Sequence, residues 1–271
     1  MSDEAKKLTA SEGSEVFFFL SQGRQLFGIL HPPTGRGREE GIIMCYPAPQ
    51  DMMRLHQAHV QLSRQLAELG YTVLRFDYSC TGDSDGPSHE ASLDAWELDT
   101  IAALTWLKQN LKLSRITLFG ARLGGTIALR ASTQGGIAQL VLWDPVLDGL
   151  AYLQELQSSH QQMLNRDAVN PPFHQAGYSD AQSWGFPLTT LFRAQLASIS
   201  PTMLSTYAKK VHLLASDESS MEWLKIVAKQ GPRVEHHQTG EAMHWNDDRF
   251  FRVRAFPAVT LRTILRILGG T

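Results

Sequence analysis

The stretch LFGARLGGTIAL, residues 118–129, carries the pattern of a strand that runs into a glycine-flanked turn and then a helix. In enzymes of the G-x-S-x-G type such a turn presents a nucleophilic serine, and the glycines let its strained backbone pass close to its neighbours. The tip residue here is Arg122. A guanidinium stays charged at physiological pH and is a poor nucleophile, so acyl-enzyme formation at this position is not expected. What an arginine can do is hold an anion. Its fork and the first amides of the following helix, beginning at Leu123, suit a carboxylate or a phosphate. A second formal match, GDSDG around Ser84, lies in a Gly-, Asp- and Ser-rich loop with no helix directly after it, and reads as a turn-stabilising serine. Cys80 in the same loop follows a strand end, where ligands gather, yet a lone loop cysteine is more often a small buried filler.

The elements that must position these residues alternate regularly. EVFFFL and QLFGIL read as an opening strand pair, and GIIMCY as the next strand after a Pro/Gly/charge-rich turn. Then come an amphipathic helix HQAHVQLSRQLAELG, strand YTVLRFDY, a long helix from Ser92 as N-cap, strand SRITLFGA, helix LGGTIALRAS and strand IAQLVLWD. Residues 145–200 break the rhythm with helix-like pieces around a polar, proline-containing segment, which reads as a lid inserted in the domain. Its aromatic and methionine side chains, Tyr152, Met163, Phe173, Tyr178, Trp184 and Phe186, suit either a hydrophobic pocket or docking on the core. Strand VHLLAS, helix SMEWLKIVAKQ, strand RVEHHQ and a final helix close the chain. His212, His236 and His237 fall on these strands and read as surface or sheet residues. The order predicts an α/β fold: an eight-stranded, mostly parallel sheet with helices on both faces, one domain over 1–271.

Composition narrows the function classes. With 43% apolar residues in 271, the chain can bury a full core. Its 25 Lys and Arg nearly balance 27 Asp and Glu, so no field attracts nucleic acid or an anionic membrane. Cys45 and Cys80 are too few for a disulfide framework and lack metal-ligand spacing; neither metal nor cofactor is expected. No signal-like or membrane-spanning apolar run is visible, which predicts a cytoplasmic protein acting on a small molecule. Its oligomeric state is not legible.

GARLGG at the turn, DYSCTGDSDG after the fourth strand and EAMHWND after the eighth together resemble the α/β-hydrolase superfamily, over about residues 15–268. The resemblance implies that His244 occupies the catalytic histidine position and Asp217 or Glu218 the acid position, Asp217 being preferred because it directly follows an apolar strand. It also places the loop YPAPQDMMR at the oxyanion hole, with Tyr46 and Arg54 as ligand contacts. Tyr46-Pro47 replaces the usual His-Gly there, and Pro47 has no N–H to donate. A narrower likeness, carried by LWDPVLDGLAYLQEL, the Arg-Leu-Gly turn, YPAPQDMMR and WGFPLTTLFRAQL, is to the exosortase A system-associated hydrolase 2 family, whose members also carry arginine at the turn.

Two readings stay open. In the first, the chain is an enzyme acting on acyl, ester or thioester groups in exopolysaccharide or other secondary biosynthesis, with His244 activating water directly. In the second, it is an inactive relative that binds an anionic ligand or serves as a scaffold. Arg122 is expected either to pair with Asp217 or Glu218 or to hold that anion, and His244 either to act as a base or to pack as a remnant held by the acid.

Overall fold

The computed structural model describes residues 8–9, 13–166, 181–215, 217–239, 245 and 256–270. The expected eight strands are present: β2 (Glu15–Ser21), β3 (Arg24–His31), β4 (Glu40–Cys45), β5 (Thr72–Phe76), β6 (Arg115–Ala121), β7 (Ile137–Trp143), β10 (Lys210–Leu214) and β11 (Arg233–His237). A two-residue strand not foreseen in the sequence, β1 (Leu8–Thr9), pairs at the edge with β2. The strand order is β1-β2-β3-β5-β4-β6-β7-β10-β11. Pairing is antiparallel as far as β3/β5 and parallel from β5/β4 onward. The burial patterns follow from that switch. β2 alternates buried and exposed residues because one face meets solvent, whereas every residue of β5 is buried between two helical layers.

The helices are α1 (Pro49–Glu68), α2 (Leu93–Asn110), α3 (Leu123–Ser132), α4 (Gly149–Arg166), α5 (Thr190–Ala197), α6 (Glu218–Ala228) and α7 (Ala258–Gly269). Ser92 caps α2 as expected, its side chain accepting from the Ala95 N–H. Helix α1 begins a full two turns before the expected His56. Pro49 in the first turn needs no N–H partner there, and Asp51 in the same turn complements the helix dipole. The loop expected over YPAPQDMMR therefore shrinks to Tyr46–Ala48, and Met52, Met53 and Arg54 are helical.

Between α4 and α5 lie the short strands β8 (Gln182–Ser183) and β9 (Phe186–Pro187). Phe192 of α5 meets Trp96 of α2 edge to face at 5.1 Å, and Gln195 accepts from the Leu93 N–H at 2.8 Å. The start of α4 is held just as closely: the Gly149 N–H donates to the Ile199 carbonyl at 3.0 Å. Phe173 and Tyr178 of the expected lid lie outside the described residues. No described helix is long and apolar enough to cross a membrane.

Candidate functional site

Strand β6 ends at Ala121, and the chain reverses through Arg122 into α3. Arg122 has φ 51° and ψ −129°, a backbone region that costs of order 1–3 kcal/mol and persists only where the surroundings impose it. They do so here. The Arg122 N–H donates to the Trp143 carbonyl at 3.0 Å, and its own carbonyl accepts from Gly125 N at 2.9 Å and Val146 N at 3.3 Å. The flanking glycines are sterically required: a Cβ at Gly120 would sit 2.6 Å from Gly125 N, and one at Gly124 would sit 2.5 Å from the Tyr46 carbonyl oxygen. The turn thus has the strained, close-packed backbone that G-x-S-x-G sequences form.

The Arg122 side chain is buried, with 8% of the residue exposed. Nη2 donates to Glu155 Oε1 on α4, and Nε lies 3.9 Å from Asp51 Oδ2 on α1. The guanidinium stands over the rings of Tyr152 at 5.3 Å and Trp245 at 5.0 Å. Tyr152 in turn donates its hydroxyl to Asp51 Oδ2 at 3.0 Å and accepts from Gln50 Nε2 at 3.3 Å. Arg122 therefore faces the buried Asp51 and the half-buried Glu155, and Arg54 adds a second positive charge that acts on both.

Burial raises both carboxyls above their ordinary range while the Arg122 charge opposes that rise. On Arg122 itself burial acts to lower the pKa, and the charges of Asp51 and Glu155 more than offset it.

Arg122 thus pairs with Glu155 and not with Asp217, one of its two expected partners. Asp217 caps α6, its Oδ1 accepting from Ser220 N at 2.8 Å. The side chain of Glu218 and all of His244 lie outside the described residues. Trp245, directly after His244, is at the elbow: its indole N–H donates to Asp144 Oδ2 at 3.0 Å and its carbonyl accepts from Arg54 Nη1 at 3.2 Å. Arg54 thus reaches the site from the helix, and its guanidinium also stands over the Trp245 ring at 5.4 Å. Leu123 is fully buried and does not line the cavity beside the elbow. Tyr46 stacks on His59 at 5.4 Å, accepts from Arg75 Nη1 at 2.9 Å, and has its phenol pushed up to about 12 by burial. Ser84 braces its turn, donating to the Asp77 carbonyl at 2.6 Å and accepting from Phe27 N at 2.9 Å.

Three acids of the site were missed in the sequence: Asp51, Asp144 and Glu155. A signal existed for one of them, since Tyr152 and Glu155 stand three apart on a helix and share a face.

Beside the elbow lies a cavity of about 510 Å³ at the C-terminal ends of β4 and β5, beneath α4 and α5. That size is ordinary for a small-molecule site. Tyr46, Met52, Tyr78, Leu156, Leu188 and Phe192 supply much of its apolar wall, with Gln50, His56 and Cys80 as polar points. Tyr152 belongs to both regions, lining the cavity and standing under the guanidinium. Cys80 has φ 65°, and its Sγ accepts from Arg24 Nη1 at 2.6 Å; burial pushes the thiol up while Arg24 pulls it down.

A glycine-flanked elbow on a central parallel strand, followed by a helix and roofed by an insertion, defines the α/β-hydrolase fold. The chain belongs to the α/β-hydrolase family: the family profile described as alpha/beta hydrolase fold matches residues 52–246. It is 31% identical over 135 residues to an uncharacterised protein of Mycobacterium tuberculosis, covering 49% of this chain and 46% of that protein. It is 38% identical over 97 residues to the human mitochondrial palmitoyl-protein thioesterase ABHD10, covering 36% of this chain and 30% of the relative. The chain thus spans less than half the length of these relatives. Among solved structures, the Pyrococcus furiosus esterase Pf2001 superposes with a TM-score of 0.63 at 18% identity, over 94% of this chain and 90% of that one.

Proposed function

We propose that this chain binds a small molecule with an apolar, acyl-like portion in the cavity under α4 and α5, without forming an acyl-enzyme at the elbow. The observation that carries this reading is Arg122 itself. It occupies the nucleophile position, is buried, and faces Glu155 and Asp51. Two carboxylates already oppose the Arg122 charge, so the cavity is a better binding site than the arginine. Its largely apolar wall favours an alkyl or aryl group, and the thioesterase name of a partial relative points the same way. The likeness to the exosortase A system-associated hydrolase 2 family would make the arginine an inherited feature and place the ligand in exopolysaccharide or related biosynthesis, in the cytoplasm.

Two measurements test this. Intact-mass spectrometry after fluorophosphonate treatment is expected to show no adduct on the elbow peptide; stoichiometric labelling of Ser84 or another serine would place the active site elsewhere. Calorimetric titration with a series of fatty acids is expected to show binding that Ala91→Trp, a substitution filling the cavity wall, weakens at least about tenfold, or ~1.4 kcal/mol. Equal affinity in wild type and variant would rule the cavity out.

A second reading is favoured by one observation: Trp245 against Arg122 brings the residue following His244 to the elbow. His244, oriented by Asp217, would then activate water on a bound ester or thioester without a covalent intermediate. Slow turnover of an activated thioester that His244→Ala abolishes would support it.

A further inference from the structure

Far along the sheet from the cavity, three potential metal ligands converge on β10 and β11. His212 pairs with Glu235 across the two parallel strands, and His237, two residues on, projects from the same face as Glu235. His212 Nδ1 lies 3.0 Å from His237 Nε2 and 3.3 Å from Glu235 Oε2. All three ligand atoms fall within 4.8 Å of one another.

We propose that His212, Glu235 and His237 form a binding site for a divalent transition-metal ion of zinc-like ligand preference. Tetrahedral coordination with bonds of about 2.0–2.1 Å separates ligand atoms by roughly 3.3 Å, and the two shortest separations here are already close to that. The orientation of His212 strengthens the case. Its Nε2 lies 3.3 Å from Gln139 Oε1 on β7; an N–H donated there leaves Nδ1 as a bare lone pair. That lone pair faces the carboxylate Oε2, acceptor against acceptor. A proton on His237 Nε2 satisfies Nδ1 and leaves Oε2 facing it unbridged, whereas a metal ion among the three satisfies every lone pair. Gln139 then plays the outer part usual for metal-bound imidazoles, fixing tautomer and ring orientation.

The carboxylate is arranged for this division of labour. Lys210 Nζ at 3.1 Å and Arg233 Nη2 at 2.9 Å both engage Oε1, leaving Oε2 turned to the histidines. Their positive charge lowers the affinity for a cation below that of a closed structural zinc site. Access is open, because β11 is the edge strand and both Glu235 and His237 are half-buried. The expectation of no metal rested on cysteine spacing, which is blind to ligands assembled by strand pairing.

The test is titration of the full chain with Co²⁺ and then Zn²⁺, reading the visible absorption of tetrahedral cobalt and the rise in melting temperature over an EDTA control. One saturable equivalent is expected, displaced by Zn²⁺. Glu235→Gln and His237→Gln, at half-buried positions, are expected to weaken it at least about tenfold, and Gln139→Leu by roughly 10- to 100-fold, while each variant melts as a folded protein in EDTA. Absence of a tetrahedral cobalt spectrum in wild type, or unchanged affinity in folded Glu235→Gln and His237→Gln, would overturn the proposal and leave two imidazoles sharing a proton.

Discussion

Arg122→Ala is expected to cost about 3–5 kcal/mol of stability at neutral pH, the range for removing one member of a buried ion pair. The reason is what stays behind: Asp51 and Glu155, both largely buried, lose a cation they face, and Arg54 offsets that loss only in part. The effect has a definite pH signature. Burial already raises both carboxyls above their unfolded values, and loss of the arginine raises them further. A carboxyl whose folded pKa is raised binds protons more readily in the folded state. Its contribution is therefore favourable at low pH and is lost as pH rises through the folded value. Urea denaturation should accordingly show the deficit of Arg122→Ala shrinking as pH falls toward the ordinary carboxylate range near ~4. A deficit independent of pH would mean that lost packing against Tyr152 and Trp245 dominates over charge. The triple replacement Arg122→Met, Asp51→Asn, Glu155→Gln is expected to recover part of the loss, because the two acids closest to the arginine no longer carry charge, while Arg54 and Asp144 remain.

Gly124→Ala is expected to prevent accumulation of the folded protein, a loss above the usual overpacking range of about 1–3 kcal/mol. The added Cβ would lie 2.5 Å from the Tyr46 carbonyl oxygen, which accepts from the Tyr78 hydroxyl, and closer still to that of Cys45, the last residue of β4 and paired with Gly120 in the sheet. Gly125→Ala serves as the graded comparison. Its Cβ would meet the Pro145 Cβ at 2.9 Å, a contact that a small ring shift relieves in part, so its cost should be smaller. Thermal melts that rank the two in the opposite order would contradict the close approach of α3 to the end of β4.

These expectations trace back to a turn that was legible in the sequence, because short apolar runs alternating with helix-period segments set the order of strands and the glycines around Arg122 marked the elbow. The partners of Arg122 were not legible. Asp51 arrives through a helix that starts earlier than its apolar periodicity suggests, and Glu155 through a lid helix whose rotation over the core no local pattern records. Asp217 looked like a ready partner from its position after an apolar strand, yet a short acidic side chain at a helix start tends to bind its own helix, and here it caps α6. His212, Glu235 and His237 show the same limit: alternation puts two of them on one face, and only strand register adds the third.

Tyr152 has a consequence for how the two halves of the site communicate. Its side chain borders both the cavity and the guanidinium, and its hydroxyl is tied to Asp51. A guest large enough to tilt that ring must strip a hydrogen bond from a buried carboxylate and remove an aromatic face from a buried cation. Filling the cavity and ionising the elbow acids are thereby coupled energetically, and the coupling works equally in both directions. Proton release or uptake on ligand binding, measured as a buffer-dependent heat, would report at the elbow what has entered next door.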